Sequence, residues 1–312
     1  MSRCRVAAVD CGTNSLRLLV AEASPDGPAE LVRRSEIVRL GAGVDANRRI
    51  APDALARTLA VLESYAADIR RHGVRRVRMV ATSATRDAGN RAEFSAGVRS
   101  VLGVEPEVIT GAEEAALSFV GATRELDPAV HQPPHLVVDI GGGSTEFVLG
   151  RPGAPVSSVS VDIGSVRLTE RHLRDDPPTE AELAALAGDV DAALDRVERR
   201  FRLTEARTLV GVAGTVTTVA GIALGLPSYQ AERIHLARLD AEEVIGVGRR
   251  LAAMPAAKRA ALPVMHPGRV DVIVAGALLL GRVVERARAA RVVVSEHDIL
   301  DGIAAGLLEA DP

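Results

Sequence analysis

Val138-Asp139-Ile140-Gly141-Gly142-Gly143-Ser144-Thr145-Glu146-Phe147-Val148 decides the reading of this chain, because Val9-Asp10-Cys11-Gly12-Thr13-Asn14-Ser15-Leu16-Arg17-Leu18-Leu19 writes the same pattern in the first half. Both read apolar run, Asp-x-Gly-x-x-Ser-x-charge, apolar run. An apolar run that ends in a carboxylate and a glycine turn, then resumes with strand-like residues, predicts a β-hairpin with a polar tip. The tip residues suit phosphate: backbone N–H groups free to converge on an oxyanion, hydroxyls from Thr13, Ser15, Ser144 and Thr145, and Asp10 and Asp139 as hard carboxylates for a magnesium ion. Three successive glycines lose about 1 kcal/mol each relative to alanine in regular structure, so Gly141, Gly142 and Gly143 imply a close visitor. Two such tips facing one another would make a clamp.

Working outward from the tips, Val6–Val9, Leu16–Ala23 and Leu31–Leu40 read as strands, followed by an amphipathic helix from Pro52 to about His72. Val77–Ala81 is a short strand, Arg91–Leu102 a helix, and Thr110 opens a helix to about Thr123. The second half repeats the opening with strands Leu136–Asp139, Glu146–Leu149 and Val156–Val161. Helices Thr179–Phe201, Thr215–Leu224, Asp271–Ala289 and Ile299–Glu309 follow, with strands Thr208–Val212 and Val292–Val294 between them. Each half thus begins with a β-meander and continues with βα alternation, which predicts a duplicated α/β fold. The expected division is residues 1–123 plus 297–312 as one domain and 124–296 as the other, with the cleft between them as the default ligand site.

Composition narrows the chemistry. Of 312 residues, 47% are hydrophobic, which supports a large core, while aromatics are 2% and tryptophan is absent, which disfavours base or sugar stacking. A formal charge of -3 argues against a general nucleic-acid binder. Lys258 is the only lysine and sits in Met-Pro-Ala-Ala-Lys-Arg, so a Walker loop and a protein-kinase lysine are both excluded. Cys4 and Cys11 read as small core residues on opposite faces of one strand. The longest apolar run, Val272–Gly281, is about half a bilayer span, and the expected location is the cytoplasm.

Further residues carry candidate roles. Thr110-x-x-Glu113 is a capping-box pattern that accounts for Glu113 and leaves Glu114, in the first helical turn, as a candidate general base. Arg86, after Thr82-Ser83-Ala84-Thr85, offers a planar fork for a phosphoryl group. Gly211-Val-Ala-Gly214-Thr215 resembles a strand-glycine-helix anion seat, and Arg167 and Arg269 stand beside turn or cap residues. The seven histidines show no metal-ligand spacing.

With these motifs together, the chain resembles the exopolyphosphatase/guanosine pentaphosphate phosphohydrolase (Ppx/GppA) family in its short, two-domain form. The resemblance rests on the two hairpin motifs, Thr82-Ser-Ala-Thr-Arg-Asp-Ala-Gly-Asn90, Thr110-Gly-Ala-Glu-Glu-Ala115, Gly164-Ser-Val-Arg-Leu-Thr-Glu170, Gly211-Val-Ala-Gly-Thr215 and Arg269-Val-Asp-Val-Ile-Val-Ala-Gly276. It implies duplicated actin-like, sugar-kinase-like (ribonuclease H-like) domains and hydrolysis of a terminal phosphoanhydride, with polyphosphate or a guanosine alarmone as substrate. It further implies Glu114 as base, phosphate on the two loops (Gly12 to Ser15 with Arg17, and Gly141 to Thr145), and Asp139 and Glu146 around magnesium, with manganese as the substitute ion. Neither nucleic acid nor membrane is an expected partner, and a homodimer stays open. Leu300 and Cys11-Gly-Thr depart from the family, where arginine and Gly-Ser are usual. The rival class is an actin-like or chaperone-like switch that binds ATP or an alarmone with little turnover; a sugar or acetate kinase is weaker, since no acceptor pocket is legible.

Overall fold

In a computed structural model that describes residues 4–25, 27–154 and 156–309, the two quoted stretches are β-hairpins, each opening a mixed sheet. β1 (Arg5–Cys11) pairs antiparallel with β2 (Ser15–Ser24), which pairs antiparallel with β3 (Gly27–Ile37); β4 (Arg76–Ala81) and β5 (Glu107–Val108) extend the other side in parallel. The order is β3-β2-β1-β4-β5. In the second half, β6 (His135–Ile140), β7 (Thr145–Gly150) and β8 (Ser157–Val161) form the same meander, β9 (Thr208–Val212) adds in parallel to β6, and β10 (Arg238–Asp240) edges β11 (Arg291–Val294). That order, β10-β11-β9-β6-β7-β8, contains the same five-strand arrangement read from the other side, with β10 added. The fold is therefore a duplicated α/β architecture of the actin-like type. The chain divides into two compact units, residues through Gly121 together with those from Ile299, and Ala122–Asp298. The predicted turn residue Asp26 and the extreme termini lie outside the described residues.

The period of two sorts each central strand onto two cores. From β1, Ala7, Val9 and Cys11 join Leu16, Leu62 and Tyr65 on one face, whereas Val6 and Ala8 join Ile299, Leu300 and Ile303 of the last helix on the other. Cys4 and Cys11 follow suit and pack on opposite faces, neither in a disulfide; burial, then the charge of Asp10, pushes the Cys11 thiol up. Leu300 is fully buried among apolar side chains, so at this position the chain has a core residue where the resembled family carries arginine. In the second unit β6 and β7 bury Leu136, Val138, Ile140 and Phe147 against the Glu180–Glu198 helix (Leu186, Val190, Leu194) and the Ile273–Ala287 helix (Leu279, Leu280, Val283).

Two helix starts are written in the sequence. Thr179 Oγ1 accepts from the Glu182 amide while Glu182 accepts from the Thr179 amide at 2.8 Å, a full capping box. The backbone amides of Thr179 and Arg174 push the Glu182 carboxyl down to about 2. Asp240 and Glu243 begin the Ala241–Ala253 helix in the same way, with the Asp240 amide donating to Glu243 at 3.0 Å; the sequence reading passed over this helix although its signature is present. The short Ser83–Asp87 and Ser165–His172 helices were also unforeseen, since neither begins with a side-chain cap. β3 stops at Ile37, short of the expected Leu40, because the Val38 and Arg39 amides turn away to the Asn14 carbonyl and Arg39 takes a left-handed φ of 52°.

The last helix depends on one close backbone approach. A Cβ at Gly302 would lie 2.1 Å from the Leu117 carbonyl oxygen, whereas one at Gly306 meets nothing within 4 Å. Gly302→Ala is therefore expected to destabilise by about 1–3 kcal/mol, and Gly306→Ala to be neutral or to stabilise by up to about 1 kcal/mol. Thermal or urea unfolding of the two variants checks the contrast.

Candidate functional site

The second hairpin tip is closed by the Gly141 amide on the Ser144 carbonyl at 3.1 Å. Its carbonyls are gathered by the start of the Ser165–His172 helix: the Ser165 amide reaches Gly141 O at 2.9 Å, the Val166 and Arg167 amides reach Gly142 O at 2.9 and 3.1 Å, and Arg167 Nε reaches Gly143 O at 2.7 Å. In a trans peptide, a C=O and the following N–H point in opposite directions. The amides of Gly142, Gly143 and Ser144 are thus turned away from that helix, as a concave row of donors for an anion. Gly164 makes this approach feasible, since a Cβ there would sit 2.5 Å from Gly142 O. Arg167, expected on phosphate, is buried and holds the tip.

The first tip has the same closing bond and takes its supporting amides from a loop. The Gly12 amide closes on Ser15 O at 3.0 Å, Gly41 N donates to Thr13 O at 2.8 Å, and Val38 N and Arg39 N both donate to Asn14 O at 2.9 Å. The amides of Asn14 and Ser15 are therefore presented on the opposite side. Thr13 Oγ1 lies 2.8 Å from Ser83 Oγ, which ties the tip to the Ser83–Asp87 helix, and Gly41 packs so tightly that a Cβ would meet Thr13 Cγ2 at 2.3 Å. Gly41 belongs to the first tip without a sequence signal, and Ser83 and Gly164, both inside quoted motifs, gain their roles at the tips only from partners at distant positions.

The tips differ in the charge paired across their strands. In the first, Asp10 stands opposite Arg17, whose Nε and Nη2 donate to Asp10 Oδ2 at 3.0 and 2.6 Å. In the second, Asp139 stands opposite Glu146, both buried, with Ser160 Oγ donating to Glu146 Oε1 at 2.7 Å. Thr145 is fully buried and donates to Ile163 O at 2.7 Å, so its hydroxyl serves the hairpin.

Glu114 lies in the first turn of the Gly111–Thr123 helix, 8% exposed, with Arg86 Nη1 at 3.3 Å from its Oε2 and at 2.9 Å from Ile109 O. Arg86 therefore holds the candidate base. Glu113 takes a different partner, its carboxylate accepting from Arg78 at 2.9 Å while its amide donates to Thr110 Oγ1. In the second unit the Ala213–Ala223 helix starts at Ala213 with a left-handed φ of 70°, a strained conformation for a residue with a Cβ. Arg269 donates to Gly214 O and, at 3.1 Å, to Thr218 Oγ1, and Thr215 lies against Gly276. Arg269 thus braces the helix start.

Tertiary structure also assembles histidines that sequence spacing does not. Ligating atoms of Glu125, His235 and His297 all lie within 4.8 Å of one another. His235 Nδ1 accepts from the Glu296 amide at 3.2 Å, which places the ring proton on Nε2, 3.1 Å from Glu125 Oε2. Glu125 and His235 are thus hydrogen-bonded with His297 Nδ1 beside them, 3.6 Å from Glu125 Oε1; burial works to raise Glu125, and His235, His297 and Arg124 outweigh it and hold the carboxyl low.

The sequence profile of the Ppx/GppA phosphatase family matches residues 19–310. The chain is 49% identical to Exopolyphosphatase 2 of Mycobacterium tuberculosis, covering 98% of this chain and 99% of that one. It is 31% identical to guanosine-5'-triphosphate,3'-diphosphate pyrophosphatase of Pseudoalteromonas atlantica, covering 69% of this chain and 42% of that one. A crystal structure of the Aquifex aeolicus Ppx/GppA family member matches with a TM-score of 0.82 and 30% identity, covering 99% of both chains.

The Asp10–Arg17 pair generates a stability prediction. Arg17→Leu leaves a buried carboxylate short of its partner and is expected to destabilise on the order of 3 kcal/mol. Asp10→Asn in the same chain should restore much of that loss, as a double-mutant cycle in urea would measure.

Proposed function

This chain belongs to the Ppx/GppA phosphatase family, and on that premise we propose that it releases the terminal phosphate of inorganic polyphosphate, with guanosine pentaphosphate as the second substrate. As a phosphohydrolase of this family it must stabilise charge on a phosphoryl group and activate a water. The observation that carries the reading is the pair of tips: each is closed by the same glycine-to-serine backbone bond and has its carbonyls held from behind, with Asp10 matched to Arg17 in one and Asp139 set against Glu146 in the other. The preference for polyphosphate follows the full-length relative, since the guanosine-type relative aligns over a smaller share of the chain.

Asp139 and Glu146 fit a hard divalent cation. Directly opposed residues on antiparallel strands bring their Cβ atoms within about 5 Å, and two buried carboxylates there offer the hard oxygen donors that such an ion takes. These two would hold magnesium, or manganese, which shares its preference for oxygen ligands. Asp10, whose Oδ2 is engaged by Arg17, serves the first tip in preference to the metal. The bound ion would neutralise charge on phosphoryl oxygens. The amides of Asn14, Ser15, Gly142, Gly143 and Ser144 hold phosphate oxygens, with Arg167, Gly214, Thr215 and Arg269 supporting the loops that carry this work. Glu114 accepts a proton from the attacking water, and Arg86 fixes the carboxylate's direction.

Glu114→Gln is expected to lower phosphate release from polyphosphate by about 10²- to 10⁴-fold at unchanged thermal stability; undiminished release would remove Glu114 as the base. Magnesium should raise the melting temperature of the native chain by ligand linkage, and that increment should vanish in Asp139→Asn/Glu146→Gln. Phosphate release compared on long polyphosphate and guanosine pentaphosphate decides the substrate order.

A further inference from the structure

At the other end of the second sheet, where β9 and β11 begin, lies a cavity of about 450 Å³, within the range that small ligands occupy. Arg207, Arg238, Arg288 and Arg291 line it, and no carboxylate among the described residues does. Four cations without an acid in one hollow stand out in a chain of net charge -3. Arg291 is engaged by Asp240 at 2.7 Å, and Arg207 donates to Gln132 at 3.2 Å, whereas Arg238 and Arg288 form no ion pair with any described carboxylate. Arg238 and Arg288 therefore bring positive charge to the rim of the hollow with no described acid against it, a field that draws an anion.

A second observation points into the same hollow. His131 lines it, is 7% exposed, and neither of its ring nitrogens has a hydrogen-bond partner. Its backbone is satisfied: the amide donates to Asp127 O at 2.7 Å and the carbonyl accepts from His135 Nε2 at 2.9 Å. Only the imidazole is bare, and buried polar groups left so are rare. Burial, then the nearby Arg238 and His135, lowers its pKa against the charge and backbone of Asp127, which raise it, and the balance lies below the ordinary histidine value; a neutral ring carries one donor and one acceptor.

We propose that this cavity is a second anion site, taking a multiply charged phosphate group, either a short phosphate chain or the phosphates of a nucleotide, with Arg238, Arg288 and His131 as its principal contacts. The site is separate from the 141–144 tip. β6 begins beside it at His135, which neighbours Thr208, and reaches the tip only after its last residue, Ile140, so the strand's length, roughly 20 Å, separates the two. Arginine forks suit phosphate oxygens, and Leu209, Ala287 and Val293 form the apolar wall of the hollow.

The test is a titration of the full chain, labelled with ¹⁵N-histidine, with tripolyphosphate in one arm and GTP in the other. The proposal expects a saturable shift of the His131 ring nitrogens in at least one arm, and the arm that binds tighter identifies the source. Arg238→Glu/Arg288→Glu should weaken that binding by about tenfold or more; Arg238→Lys/Arg288→Lys should keep it nearer to the native value, which separates lost charge from lost fold. A His131 ring unmoved in both arms, moved equally in the Glu variant, or moved equally by sulfate at matched ionic strength overturns the proposal. Phosphate release by the native chain would be untouched by any of these outcomes, so the catalytic reading stands or falls separately.

Discussion

The structure turns on how an exposed hairpin tip disposes of its carbonyl groups. A tip whose carbonyls faced outward would repel phosphate; here every carbonyl that matters is claimed from behind. In the second unit the claimants are the first amides of the Ser165–His172 helix and the Arg167 guanidinium, and in the first they are the amides of Val38, Arg39 and Gly41. Planarity of the peptide then turns the next amide toward the open side. Gly164 and Gly41 allow the claimants to come close enough, since a Cβ at either would collide. The outward direction of the tip amides is thus set by bonds made on the opposite side of the loop.

On this common backbone, the cross-strand charge divides the labour. Opposite charges in the first copy neutralise each other, which suits a holding loop. Two acids stand opposite each other in the second copy, the donor pair on which the proposed divalent cation rests. The arginines take a similar supporting part: Arg86 on Glu114, Arg167 on Gly143 and Arg269 on Gly214 each hold another group in place. In a chain with one lysine, arginine serves as scaffold as much as ligand, because its planar fork can bond a carbonyl and a side chain together.

Much of the fold was legible in the residues. Alternating apolar runs around Asp10 and Asp139 located both meanders, and the helix expected from Thr179 begins at Glu180 with Thr179 as its cap. What escaped reading has a physical pattern. The Ser165–His172 helix is short and is started by Gly164 in extended conformation, with no side-chain cap to announce it. β3 looked longer because Val38 and Leu40 are apolar, yet their strand ends where amides are drawn to Asn14. The histidine trio, spread over positions 125, 235 and 297, has no sequence period.

The sequence by itself determined the duplication, the strand and helix types, and the carboxylates and glycines available at each tip, because these follow from local periodicity and residue chemistry. Only the tertiary structure decided which arginines were already engaged, that Thr145 bonds inward, and that His131 is buried bare among four arginines. Such facts depend on pairing between residues far apart in the chain, and long-range pairing is set by packing rather than by any local pattern.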